Sequence, residues 1–184
     1  MSMSNSQEVL TSTSGAKKRS RVRIVILLLL SVGTMINYLD RTILGIVAPQ
    51  LSKEIHIDPA MMGIIFSAFA WTYALAQIPG GMFLDRFGNK LTYALSIFFW
   101  SLFTLLQSFV GQFHFISVVF SLFMLRMIVG LAEAPSFPGN ARIVAAWFPT
   151  AERGTASAIF NSAQYFSTVL FAPIMGWITY VYGW

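Results

Sequence analysis

Apolar runs of about 20 residues recur along this chain, and they restrict its fold more than any other feature. A membrane-crossing helix needs about 20 mostly apolar residues. Five stretches reach that length: 24–47, 60–84, 91–110, 115–137 and 156–180. Short polar breaks separate the first four, and a longer one around 140–154 precedes the fifth. Charged residues make up only 10% of the 184 residues, against 56% hydrophobic. Soluble domains carry about 25% charge. The surface cannot be covered with charge, so part of the solvent is lipid. The reading is an all-α membrane protein, an N-terminal bundle of about five spans over 24–184. The fourth span can continue past Pro135 and Pro138 to Trp147 as a kinked helix, because membrane helices tolerate proline when neighbours satisfy the freed carbonyls.

The net charge of +5 does not mark a nucleic-acid binder. The basic residues lie at the ends of the apolar runs, where they report topology. Lys17, Lys18, Arg19, Arg21 and Arg23 precede the first run; Arg86 and Lys90 follow the second; Arg142 and Arg153 follow the fourth. With a crossing at each span, these share one side, and Lys53 stands on the other. The positive-inside rule then makes the N-terminus cytoplasmic, with 1–23 a disordered basic tail. A basic run before an apolar one also opens a signal peptide. Here the first apolar run exceeds such a segment, and no clean small-residue cleavage site follows Leu30. No cysteine is present, which excludes disulfides and thiolate metal sites. His56 and His114 form no ligand cluster, and no nucleophile elbow or metal-spaced set suggests an enzyme.

Polar groups inside the spans carry the functional information, since a charge at the bilayer centre costs about 2.5–3.5 kcal/mol on insertion scales. The first span holds Asn37, Tyr38, Asp40 and Arg41. Helical spacing sets Asn37 beside both charges, and Gly33 and Gly45 extend that stripe as a face a neighbour can approach. This is a substrate or proton site, or a structural ion pair. The fourth span holds Arg126 and Glu133, two turns apart on one face and about 10 Å apart along the axis. Gly130 and Ala134 continue the stripe. Desolvation disfavours a charged Glu133 and a nearby arginine favours it, an opposition suited to proton coupling; a salt bridge between helices is the other reading. Ser157, Asn161, Gln164 and Thr168 on the fifth span, and Tyr73 and Gln77 on the second, can bind a ligand or another helix.

Between the second and third spans stand Gly81, Asp85, Arg86, Gly88 and Lys90. This pattern resembles the loop signature of the major facilitator superfamily. The runs Asn-Tyr-Leu-Asp-Arg at 37–41, Gln-Ile-Pro-Gly-Gly at 77–81, Glu-Ala-Pro-Ser-Phe-Pro-Gly-Asn-Ala-Arg at 133–142 and Phe-Asn-Ser-Ala-Gln-Tyr at 160–165 resemble its anion:cation symporters. The likeness is nearest to bacterial transporters of glucarate, galactarate and galactonate. It implies proton-coupled uptake of a sugar-acid anion across the bacterial inner membrane, with protons as coupling ion and no other cofactor. It implies proton-coupling roles for Asp40, Glu133 and Arg126, and substrate contacts from Tyr38, Arg41, Tyr73 and Gln164. The loop residues, Asp85 and Arg86 above all, become a conformational latch. The family has twelve spans in two halves with the site between them. Five spans imply a partial transporter whose partners are lipid, substrate and a missing C-terminal half; the alternative is a non-transporting membrane scaffold.

Overall fold

The computed structural model describes residues 21–112 and 117–183. Helix α1 spans Arg21–Glu54, α2 Pro59–Gln107, α3 Val118–Glu133, α4 Ser136–Trp147 and α5 Thr150–Tyr182, with a 3₁₀ turn at Val110–Gln112 after α2. There is no strand among the described residues. The first helix begins three residues before the expected span. The rest of the expected tail, His114 and the expected start of the fourth span lie outside the described residues.

Local sequence explains the boundaries. Pro59 opens α2 behind Asp58, where a missing N–H leaves no unmet bond. At Gly88 φ is +79°, a conformation that interrupts the helix and that glycine adopts without a Cβ penalty. The 49-residue α2 is therefore two crossings joined at a bend. The α3–α4 break falls at Ala134 and Pro135, and the chain resumes helical hydrogen bonding with Gly139 N donating to Pro135 O at 3.0 Å. This is the kink expected from the prolines.

Among the described residues, three helices are long and apolar enough to cross a membrane by length and composition: Arg21–Glu54, Pro59–Gln107 and Val118–Trp147. Since α2 holds two crossings, the apolar stretches number four rather than the five expected. The fifth expected span lies within α5, whose 33 residues give ample length. Its polar positions Ser157, Asn161, Gln164 and Thr168 dilute its apolar character.

Consecutive helices alternate between two ends of the bundle. At one end Val47, Leu51, Ile57, Met62, Val110 and Leu122 pack together. At the other, Leu30, Val144, Phe148, Ala156 and Phe160 do so. Ion pairs Arg23–Glu152 at 3.9 Å and Asp85–Arg142 at 2.7 Å tie the second end. There Arg153 also donates to the carbonyls of Phe148 at 3.0 Å and Ala145 at 2.7 Å. Arg23, Arg142 and Arg153, three of the basic residues expected to share a side, thus lie at this end, while Lys17, Lys18 and Arg19 fall outside the described residues. Laterally, α2 packs chiefly on α3, and α1 chiefly on α5. Gly130 permits the first contact: a Cβ there would meet the Phe69 carbonyl at 2.7 Å and also strike Thr72 Oγ1. The glycines of the first span play no such part. A Cβ at Gly45 meets nothing within 4 Å, and at Gly33 only the Tyr93 hydroxyl at 3.8 Å.

Candidate functional site

The centre of the bundle is an ion pair between helices. Glu133, at the last turn of α3, is 0% exposed. Its Oε1 accepts from Arg41 Nε at 2.9 Å and also from the second arm of the same guanidinium. A buried carboxylate requires such a partner. The sequence periodicity set Glu133 beside Arg126 instead. Two turns along one helix leave about 10 Å between such residues, and α1 supplies a cation at bonding distance. Aromatic rings enclose the guanidinium: its central carbon lies 5.0 Å from the Tyr38 ring, 5.0 Å from Phe69 and 4.5 Å from Tyr73. Each such face attracts a cation. The other carboxylate oxygen, Oε2, is buried without a hydrogen-bond partner.

Asp40 does not pair with its neighbour Arg41. Its Oδ2 accepts from Trp100 Nε1 at 3.1 Å and Thr104 Oγ1 at 3.2 Å, both on the second crossing of α2. Successive residues on a helix point about 100° apart, which sends Asp40 toward α2 and Arg41 toward α3. Arg126 is 4% exposed, forms no ion pair among the described residues, and keeps a buried, unpartnered Nε.

Arg41 and Arg126 line one cleft of about 320 Å³ with Gly45, Phe66 and Phe69. Arg41 also lines a second, smaller cavity of about 50 Å³. Its walls include Asn37, Tyr38, Tyr73, Asn140 and Asn161. Of the substrate contacts expected, Tyr38, Arg41 and Tyr73 therefore converge. Gln164 is half-buried on α5 and lines neither cavity; Asn161, one turn earlier, takes that place. Asn140 was legible only as part of a motif. It accepts at Oδ1 from the Tyr93 hydroxyl at 2.8 Å. Trp100 and Thr104 were missed altogether, since a single aromatic or hydroxyl in an apolar run has no periodicity to mark it.

The loop residues divide. Asp85 pairs with Arg142 of α4 rather than with Arg86. The Arg86 guanidinium lies 5.6 Å from the Phe87 ring. Gly88 makes the bend, Lys90 is exposed, and Gly81 has open space where a side chain would stand.

Long apolar helices around a paired charge define an integral membrane protein. The chain belongs to the major facilitator superfamily, whose family model matches residues 30–184. It is 57% identical, over 94% of its length, to the Probable galactarate/D-glucarate transporter GudP of Escherichia coli (strain K12). Identity to the protein of the same name in Pseudomonas putida is 62% over 82% of this chain. The D-galactonate transporter of Escherichia coli O6:H1 is 41% identical over 92%. These relatives are transporters, not enzymes. The chain spans 38%, 33% and 38% of their respective lengths. A solved bacterial homologue of the human lysosomal transporter Spinster, inward-facing and occupied, has a similar fold. Its TM-score is 0.73 at 25% identity, over 85% of this chain and 33% of that one.

Proposed function

We propose that these helices form part of the N-terminal half of a proton-coupled symporter that takes up a sugar-acid anion across the bacterial inner membrane. The carrying observation is the cleft lined by two arginines, one held by Glu133 and the other without a carboxylate partner among the described residues. Guanidinium groups grip carboxylates through two parallel bonds, and a sugar diacid presents two carboxylates. The relatives named above supply the substrate class, galactarate or glucarate.

Arg41 then serves two acceptors in turn. With Glu133 ionised, its guanidinium is occupied. A proton on Glu133 removes that claim, and the substrate carboxylate takes the freed donors. Release of the anion and proton restores the pair. Tyr38 and Tyr73 hold the guanidinium plane through their rings, and Asp40, fixed by Trp100 and Thr104, is a second carboxyl, on the same helix as Arg41. The Asp85–Arg142 pair joins two helices at the basic end, where a conformational latch would act. That end is cytoplasmic in this reading, with Lys53 outside.

The test is a chimaera. Residues 24–184 replace the matching part of the Escherichia coli galactarate/D-glucarate relative, in cells lacking their own uptake systems. Accumulation of labelled galactarate or glucarate driven by an inward pH gradient is expected. Accumulation insensitive to collapse of that gradient would overturn proton coupling, and failure to move either diacid in a correctly inserted chimaera would overturn the substrate class.

A further inference from the structure

A separate groove runs along the outside of the bundle at its basic end. The bend at Gly88 sets Phe83 and Phe87, from one crossing of α2, beside Leu91, Leu95 and Phe99 from the other, and Leu131 of α3 closes the far wall. These six side chains are all exposed. The groove holds about 350 Å³. Two hydroxyls reach it, and both are already used within the protein. Thr92 Oγ1 donates to the Phe83 carbonyl at 3.3 Å, and Ser96 Oγ donates to the carbonyl of Ala132. The groove thus offers hydrocarbon contacts and no free hydrogen bond.

Its rim is different. Arg86 lies against Phe87, a wall residue, and Lys90 immediately precedes Leu91, another. Neither has a carboxylate partner among the described residues, while the one acid nearby in sequence, Asp85, is matched by Arg142. Two cations without a carboxylate partner among the described residues thus flank an apolar groove.

We infer that this groove binds one anionic phospholipid, with an acyl chain along the Phe83–Leu91–Phe99 wall and its headgroup phosphate between Arg86 and Lys90. A hydrocarbon chain fills a surface with no spare polar atom, and basic residues at such a boundary attract anionic headgroups. The occupant has both halves of that chemistry; a free phosphate lacks the chain, and a neutral lipid lacks the charge.

Native mass spectrometry of the full chain in mild detergent tests this, with phosphatidylglycerol and phosphatidylcholine of identical acyl chains. One phosphatidylglycerol should be retained in preference. Arg86→Gln and Lys90→Gln should each reduce its retention about five-fold, while Lys53→Gln at the other end leaves it unchanged. Leu95→Trp, which fills the groove, should release it. Raised salt should weaken retention on the unsubstituted chain, a readout that needs no variant to fold. Equal retention of the two lipids, retention indifferent to the Arg86 and Lys90 changes or to salt, equal loss in Lys53→Gln, binding of glycerol phosphate alone with the same strength, or a lipid-free dimer formed through this face would each overturn the assignment.

Discussion

At the scale of single residues, Arg41 does more than carry charge. It donates twice to Glu133 and sits among three rings. An ammonium keeps the charge but lacks the planar fork. In the chimaera, Arg41→Lys should weaken sugar-acid binding ten-fold or more, since bonds to charged groups contribute about 1.5–3 kcal/mol; affinity within two-fold of the parent would remove Arg41 from the substrate site. Glu133→Gln imitates the protonated carboxyl. We expect it to retain substrate binding and exchange yet lose accumulation driven by a pH gradient, measured with labelled galactarate in vesicles. Continued accumulation would make Glu133 structural and point to Asp40. The polar residues of this site were visible in the sequence because charges are rare in apolar runs. Their pairing was not. Periodicity reports which residues share a helix face, but the Arg41–Glu133 contact spans 92 residues and depends on how two helices are laid together.

At the scale of helices, two glycines that look alike in the sequence have opposite duties. Gly130 lies against α2, whereas a Cβ at Gly45 meets nothing. Gly130→Ala should push α2 from α3 and destabilise the bundle by about 1–3 kcal/mol, as overpacking does. Gly45→Ala should be neutral or stabilising by up to about 1 kcal/mol, through helix propensity alone. Thermal unfolding of both variants in detergent separates the cases, and equal shifts would refute the contrast. Gly88→Ala should cost about 1–3 kcal/mol from its positive-φ, extended backbone, which is essentially confined to glycine, measured in the same way. Spans and the proline break were legible because length, hydropathy and proline act locally. The span count was overdrawn at α5, where a polar stripe makes an apolar tally ambiguous. The spacing of Gly33 and Gly45 suggested a packing face, but small residues permit close approach only where a neighbour arrives.

At the scale of the whole molecule, Arg23, Arg142 and Arg153 gather at one end of the bundle, and the absence of cysteine from the sequence makes that arrangement easy to probe. With the basic end cytoplasmic, Lys53→Cys should react with an impermeant thiol reagent on intact cells. Lys90→Cys should react only after permeabilisation. The opposite pattern would invert the orientation proposed here. The bundle also has an order of construction. Arg41 enters the membrane with the first helix, and the carboxylate that neutralises it is 92 residues further along. At about 5–20 residues per second, a ribosome takes roughly 5–18 s to make that stretch. During that interval an arginine in a newborn helix must be sheltered by water, lipid headgroups or the insertion machinery. A carboxylate made 92 residues later therefore completes the charge of the earliest helix, and Arg41 stays unmatched until the fourth apolar stretch is made.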